Sequence, residues 1–304
     1  MGVKYSIVMV TYNHEKYIAK AIESVLKQNT KEQIEILVGD DGSNDRTVEI
    51  LNSYKNKYAF IDVFAHNNVG LSKNVYDLLM KAKGEYIAIL EGDDYWIDND
   101  KLVKQRKIIE DNRCIATACN SLKIDENGKT LGLWNDRKSS KILSNKEVLK
   151  YQTSLWHPSA LMFRNIFLNS GDKYKVIAEA SRMGGNHSGL INLMADEGKI
   201  FLDITPMTIW LSVNKTGGMN YSSQKLDSLH DYYESMNKYE YYNRVFKMNY
   251  ERNVYSCYRL CVRKLRNELI ENIGFKSYLR IKYSYIFFAI IRKIKKLIKR
   301  GIKI

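Results

Sequence analysis

The chain has 304 residues, enough for one large α/β domain and a smaller appendage. Hydrophobic residues make up 45%, charged residues 27% and prolines number only 2, which excludes wholesale disorder and a collagen-like or low-complexity chain. The net charge of +14 is uneven, because Asn272 to Ile304 holds ten Lys or Arg and no acid, so a nucleic-acid coat over the whole protein is not expected.

Cys114, Cys119, Cys257 and Cys261 fit neither a paired zinc-ligand spacing nor a secreted disulfide framework, and a reducing compartment is the simplest expectation. The N-terminus runs into a strand-like segment with no secretory leader. The longest apolar run near the C-terminus, Tyr283 to Ile291, is far short of the ~20 residues of a spanning helix. A cytoplasmic location follows as the expectation.

Up to about residue 120, short β-rich runs alternate with amphipathic helices. Tyr5–Val10 reads as a strand, and Tyr17, Ile18, Ala21, Ile22, Val25 and Leu26 recur at helical spacing. Strands at Ile34–Val38, Ile61–Phe64 and Glu85–Leu90 alternate with helices near Thr47–Tyr54 and Ser72–Ala82. This order predicts an α/β fold with a mostly parallel central sheet flanked by helices.

Polar residues gather where such a sheet binds ligands, at strand C-terminal ends. Thr11, Tyr12 and Asn13 follow the first strand, Asp40, Asp41, Gly42 and Ser43 the second, and Glu91, Gly92, Asp93 and Asp94 the fourth. Hard oxygen ligands such as Asp93 and its neighbours suit Mg²⁺ or Mn²⁺ bound jointly with phosphate. Such an ion offsets charge growing on a leaving nucleotide. The competing assignment is an acidic loop ending in the cap of a helix from Asp100. Asp40 and Asp41 suit hydrogen bonds from a base or ribose, or equally a capped βα turn. Gly70, Lys73 and Asn74 beside a helix start offer a diphosphate contact.

V-T-Y-N at Val10–Asn13, D-D-G-S-N-D at Asp40–Asp45, N-V-G-L-S at Asn68–Ser72 and G-E-Y-I-A-I-L-E-G-D-D-Y-W at Gly84–Trp96 occur in that order. Together they resemble the GT-A catalytic domain of the family 2 glycosyltransferases over residues 5–110. The resemblance implies that Thr11, Tyr12, Asp40 and Asp41 hold the nucleoside of a nucleotide-sugar donor, a UDP-sugar by expectation. It puts Glu91-Gly92-Asp93 at the family's D-x-D, with Asp93 the metal ligand and Glu91 replacing the first Asp within reach of the ribose. It also implies inversion at the anomeric carbon by direct displacement, with an enzyme base taking the acceptor proton. No G-x-G-x-x-G follows the first strand, and no G-x-x-x-x-G-K-[ST] is present.

The acceptor half begins near Leu122. Ser154–Arg164 resembles a strand carrying acceptor contacts, with Trp156 and His157 as pocket residues or core. Where relatives place an Asp before a helix, here expected from Ser188, the sequence has Gly184-Gly185-Asn186-His187. His187 is the replacement base, since imidazole accepts a proton near neutral pH, with Glu179 and Asp94 as alternatives. In the tail, Phe287, Ile291, Ile294, Ile298 and Ile302 form one apolar stripe, while Arg292, Lys293, Lys295, Lys296, Lys299, Arg300 and Lys303 occupy the rest. That pattern reads as a helix lying on an anionic membrane, or one packed on the domain with a solvated face.

The expected division is residues 1–120 for the nucleotide-sugar-binding half, 121–219 for the acceptor-binding half, and 220–304 for a C-terminal helical region peripheral to the cytoplasmic face of the membrane. The expected acceptor is a glycan or lipid-linked saccharide of a cell-surface polysaccharide, with no nucleic-acid partner. The rival is a degenerate transferase that holds nucleotide sugar or scaffolds partners, and turnover separates the two.

Overall fold

The computed structural model describes residues 2–143, 147–148, 155–168 and 197–212, the side chain of Ser72 apart. The candidate bases His187 and Glu179, the helix expected from Ser188, Cys257, Cys261, the 220–270 region and the basic tail lie outside the described residues. The chain divides into Met1–Ser223 and Gln224–Ile304, and every described residue belongs to the first unit.

The first half alternates as its sequence pattern dictates: β1 (Tyr5–Thr11), α1 (Ile18–Leu26), β2 (Ile34–Asp40), α2 (Thr47–Lys57), β3 (Ile61–Ala65), α3 (Leu71–Leu79) and β4 (Tyr86–Glu91). Every residue of β1 is buried, as expected of a parallel strand covered on both faces. Helix α1 buries Ile18, Ala21, Ile22 and Val25, the stripe that its 3.6-residue period places on one side. These side chains pack with Ile7, Met9, Ile36, Val38, Leu51 and Leu90 into one core. Helix α2 starts on Asp45, whose Oδ1 accepts both the Thr47 amide and its hydroxyl, and ends with Lys55 and Lys57 in its last turn.

The second half is β5 (Tyr95–Trp96), α4 (Lys101–Asp111), β6 (Ala116–Asp125), β7 (Thr130–Leu133), β8 (Lys141–Leu143), β9 (Leu161–Arg164) and β10 (Ile200–Ser212). Asp100 makes no side-chain cap to α4. Instead Gln28, just past α1, accepts the Leu102 amide at 3.1 Å. The strand expected over Ser154–Arg164 is confined to β9, because Pro158 opens a 3₁₀ turn, Pro158–Ala160. The 13-residue β10 was not anticipated by the alternation of the first half.

One sheet runs β3-β2-β1-β4-β9-β6-β10-β5. The first four strands are parallel, β9 is antiparallel to β4 and β6, and β10 is parallel to β6. β7 pairs with β6, and β8 with β10. Because β5 pairs with β10 through Trp96 and Thr208, the turn after β4 is tied to the far edge of the sheet. Gly84 opens β4 where a Cβ would stand 2.5 Å from the Ser6 amide nitrogen, so only glycine admits that approach. Among the described residues no helix is long and apolar enough to cross a membrane.

Lys101 is wholly buried on α4. Its Nζ donates to Gln105 Oε1 at 2.7 Å and stands 4.3 Å from the Trp96 ring centroid. Burial pulls its pKa down from 10.5 to about 8, the direction for a cation deprived of water. The unfolded chain therefore binds the proton more tightly. The cost to stability is full below the folded pKa and fades as pH rises toward the unfolded value. Lys101→Met should stabilise the protein by about 1–3 kcal/mol at neutral pH, the lost donor to Gln105 offsetting part of the gain. Urea unfolding of both proteins near pH 7 and again above about pH 10 checks this, since the difference should shrink at high pH. Nearby, Cys119 is a buried free thiol that burial pushes up to about 11, so it packs as a small apolar group.

Candidate active site

The sequence-predicted residues at the ends of β1, β2 and β4 meet along one edge of the sheet, because β1 lies between β2 and β4. After β1, Asn13 takes a φ of 55°, its amide donates to Ser43 Oγ at 2.8 Å, and its Oδ1 accepts the Asn44 amide at 2.8 Å. Asp40 is buried and turned into its own loop, accepting the Gly42 and Ser43 amides and the Ser43 hydroxyl. Asp41 accepts the Val69 amide at 2.7 Å and faces His66 at 3.6 Å. Burial raises its pKa above the usual carboxylate range, partly opposed by that amide. Both carboxylates thus build the loop between β2 and α2 and hold it to the segment before α3, as a capped turn does. Thr11 is buried and Tyr12 half-buried at the same edge.

Asn74 is buried, donates to the Gly39 carbonyl at 2.9 Å, and so ties α3 to β2. Lys73, one residue earlier, is half-exposed in an ion pair with Asp77 at 2.5 Å. That pair leaves the ammonium at the surface near the start of α3, while Asn74 has become a structural clamp.

The acidic turn after β4 is the densest cluster. Gly92 packs so closely on β1 that a Cβ would lie 2.8 Å from Thr11 Oγ1 and 2.9 Å from His14 Nδ1. Those two polar atoms are buried with no hydrogen-bond partner among the described residues. Asp93 Oδ2 lies 3.9 Å from His14 Nε2. Asp94 has no exposed side-chain surface, and its two oxygens accept the Ser159 hydroxyl at 2.5 Å and the Leu211 amide at 3.1 Å. Asp94 Oδ2 also stands 3.1 Å from His157 Nδ1, an ion-pair contact rather than an aligned hydrogen bond. The other ring nitrogen, Nε2, faces Glu91 Oε2 at 3.4 Å. Ser159 completes the cluster by accepting the Glu91 amide at 3.1 Å.

As an acceptor base Asp94 fails, because its carboxylate is sealed and engaged; it orients His157. Trp156 is fully buried core, whereas its neighbour His157 belongs to the acidic turn rather than to an acceptor pocket alone. His14, His157 and Ser159 lie against the acidic turn although the strand-end rule passes over them. For His157 and Ser159 the local signal is a polar His-Pro-Ser within the apolar run from Leu155 to Phe163.

Crowded carboxylates and burial set the charge here. Burial above all, with Asp94 and Asp93 adding, pushes Glu91 up to about 8, while His157 opposes the rise. Burial and Asp94 likewise raise Asp93. For His157 burial disfavours the charged ring, yet Asp94, Glu91 and Asp93 outweigh it and hold its pKa up at about 9. Without another cation, the cluster binds protons. One ligand atom from each of Glu91, Asp94 and His157 lies within 4.8 Å of the others. Two carboxylate oxygens and an imidazole nitrogen, packed where negative charge is costly, fit a divalent cation, and the imidazole favours Mn²⁺ over the oxygen-preferring Mg²⁺. Since Asp94 already turns Nδ1 toward itself, it suits the outer shell of such an ion, with Nε2 and Glu91 inside.

A parallel sheet carrying an acidic turn after its fourth strand, continued by antiparallel strands, defines the GT-A class. Residues 6–169 match the model of glycosyl transferase family 2, and the chain belongs to that family. It is 40% identical over 107 residues to an uncharacterized protein of Mycobacterium tuberculosis, a match covering 34% of this chain and 31% of the relative. It is 35% identical over 164 residues to an uncharacterized glycosyltransferase of Methanocaldococcus jannaschii, covering 52% and 54%. The chain thus spans less than two thirds of the length of these curated relatives. The structure of Staphylococcus aureus TarS residues 1–349 in complex with UDP-GlcNAc is similar in fold, with TM-score 0.63, 18% identity, and coverage of 94% of this chain and 81% of that one.

Proposed function

We propose that this protein is a metal-dependent, inverting glycosyltransferase that moves a hexosyl group from a UDP-sugar to a glycan or lipid-linked saccharide of a cell-surface polysaccharide. The observation that carries the reading is the Glu91-Gly92-Asp93-Asp94 turn with His157 packed against it, at the strand end where a family 2 chain has its acidic motif. The TarS structures holding UDP-GlcNAc and UDP support the donor. The name of a Borreliella burgdorferi relative, cholesterol galactosyltransferase, 37% identical over 91 residues, supports a hexosyl group and a lipid-associated acceptor.

In this reading the loops at Thr11–Asn13 and Asp40–Ser43 receive the nucleoside, and the start of α3 with Lys73 faces the diphosphate. A divalent ion bound there supplies Lewis-acid stabilisation of the leaving nucleoside diphosphate. Glu91 and His157 Nε2 would hold that charge together with Asp93, which lies outside the Glu91–Asp94–His157 group, and Asp94 with Ser159 would fix the imidazole. His187 takes the acceptor proton, and the basic tail keeps the enzyme on the cytoplasmic face of an anionic membrane.

A screen of nucleotide sugars with and without Mn²⁺ or Mg²⁺ tests the function. UDP-sugar hydrolysis or transfer that stops in excess chelator is the expected result. Nucleotide binding without any turnover would favour a degenerate sugar-nucleotide-binding module instead. Within an active enzyme, His187→Ala should lower kcat by about 10²–10⁴-fold with donor affinity retained. An undiminished kcat would remove His187 from the base role.

A further inference from the structure

Two of the four tryptophans, Trp96 and Trp156, are core. The other two are half-buried and converge on the acidic turn. Trp210, on β10, stacks on His157 with ring centroids 5.6 Å apart and planes 23° apart. Trp134, just past β7, meets His157 edge-on at 5.0 Å and Trp210 edge-on at 4.9 Å. Lys123, on the neighbouring β6, holds its ammonium 4.4 Å from the Trp210 centroid and has no carboxylate within ion-pair distance among the described residues.

The backbone beneath these rings is fixed. The Trp134 amide donates to the Ser121 carbonyl at 2.8 Å. Asn135 exchanges hydrogen bonds with Asn120 and donates to the Leu155 carbonyl. Trp210 is in register with Lys123 across the β6–β10 pair. Both indoles are partly exposed on this frame, with His157 stacked on Trp210 and the Lys123 ammonium near its ring. Core packing alone does not call for this.

Its place in the sheet says what belongs there. The strand order puts the β1 and β2 loops on one side of the turn after β4, and β6 and β10 on the other. In a direct displacement the acceptor hydroxyl approaches the reacting carbon opposite to the departing diphosphate. If the nucleotide lies over β1 and β2, as the proposed function has it, the acceptor comes from the β6 and β10 side.

We propose that Trp134 and Trp210 form the acceptor subsite, taking the apolar C–H face of a pyranose ring. Aromatic faces carry negative charge density and attract the polarised C–H groups of a sugar, and few polar groups then fix its orientation. Lys123, a flexible side chain over Trp210, swings from the ring to donate hydrogen bonds to the sugar hydroxyls. The subsite rests on the transferase reading but fails separately from it.

The test is saturation-transfer NMR on the full chain with UDP and Mn²⁺. The probes are the methyl β-glycosides of glucose, galactose and N-acetylglucosamine, and UDP binding is followed in the same samples. At least one glycoside should receive saturation, strongest on the axial protons of one ring face. Trp210→Ala should weaken its binding about tenfold, and Trp210→Phe should recover most of it. Trp134→Leu, which keeps apolar volume but removes the ring, should also weaken it, and UDP affinity should stay unchanged in all three variants. Absence of saturation for every glycoside in a wild-type sample that binds UDP overturns the subsite. So does equal binding in Trp210→Ala and Trp134→Leu. Failure of the wild-type chain to bind UDP overturns the donor reading itself, and the subsite with it.

Discussion

Replacing His157 with alanine should weaken Mn²⁺ binding by at least about 10–100-fold and depress turnover by a similar or larger factor. The imidazole is one of the inner candidate ligands, and its loss also removes the cation that faces the sealed Asp94 carboxylate at 3.1 Å. Asp94→Asn isolates the orienting role. It keeps the shape beside Ser159 and the Leu211 amide but removes the charge that holds Nδ1, so a smaller loss of metal affinity is expected. Asp93→Ala should abolish turnover through the D-x-D position. Burial raises the pKa of Glu91, and Asp94 and Glu91 raise that of His157, so the metal-free cluster favours bound protons. Metal must displace those protons, so affinity should climb as pH rises from about 6 to 8.5. Titration of Mn²⁺ by electron paramagnetic resonance at several pH values, alongside turnover assays, reads all of these. Undiminished metal affinity and turnover in a folded His157→Ala protein, or full turnover in excess chelator, would refute the assignment.

The first half of the fold was legible because its central strands carry apolar runs, Ile7–Val10, Ile36–Val38 and Ile87–Leu90, that stop at polar residues or at a glycine before one. Val10 gives way to Thr11, Gly39 to Asp40, and Leu90 to Glu91, and each change marks both a strand end and a site edge. Legibility ended where pairing became long-range. β10 carries Asp203, Thr205, Pro206 and Thr208 along its length, and its register with β6 shifts on both sides of Pro206. A proline lacks the ladder donor and forces that irregularity, so no simple alternation announces the strand. The chain's other proline, Pro158, likewise breaks the run that presents His157 and Ser159. Their contacts with Glu91 and Asp94 span more than sixty residues and leave no periodic trace. The polar residues after β2 carry two readings at once: the hydrogen bonds of Asp40 make it a turn residue, and the same loop is the one proposed to receive the nucleoside.

Removing residues 284–304 should release the protein from vesicles rich in anionic lipid while leaving nucleotide-sugar hydrolysis intact. The segment carries Phe287, Ile291, Ile294 and Ile298 at helical spacing, with seven cations from Arg292 to Lys303 and no acid. As a helix it would lay the apolar stripe at the acyl boundary and turn the cations to the headgroups. Each cation near an anionic surface is worth about 1 kcal/mol, so several acting together suffice for binding, reinforced by the apolar stripe. Lys295→Glu, Lys296→Glu and Lys299→Glu combined should mimic the truncation, because repulsion replaces attraction while the stripe is kept. Raising the ionic strength should weaken the wild-type chain's binding through screening. Vesicle sedimentation, run beside hydrolysis on the same preparations, separates anchoring from folding. Release with hydrolysis preserved identifies a membrane anchor that is independent of the sheet and its acidic turn. Truncation that abolishes nucleotide binding, or vesicle binding indifferent to charge reversal and salt, would make the tail a structural element of the enzyme instead.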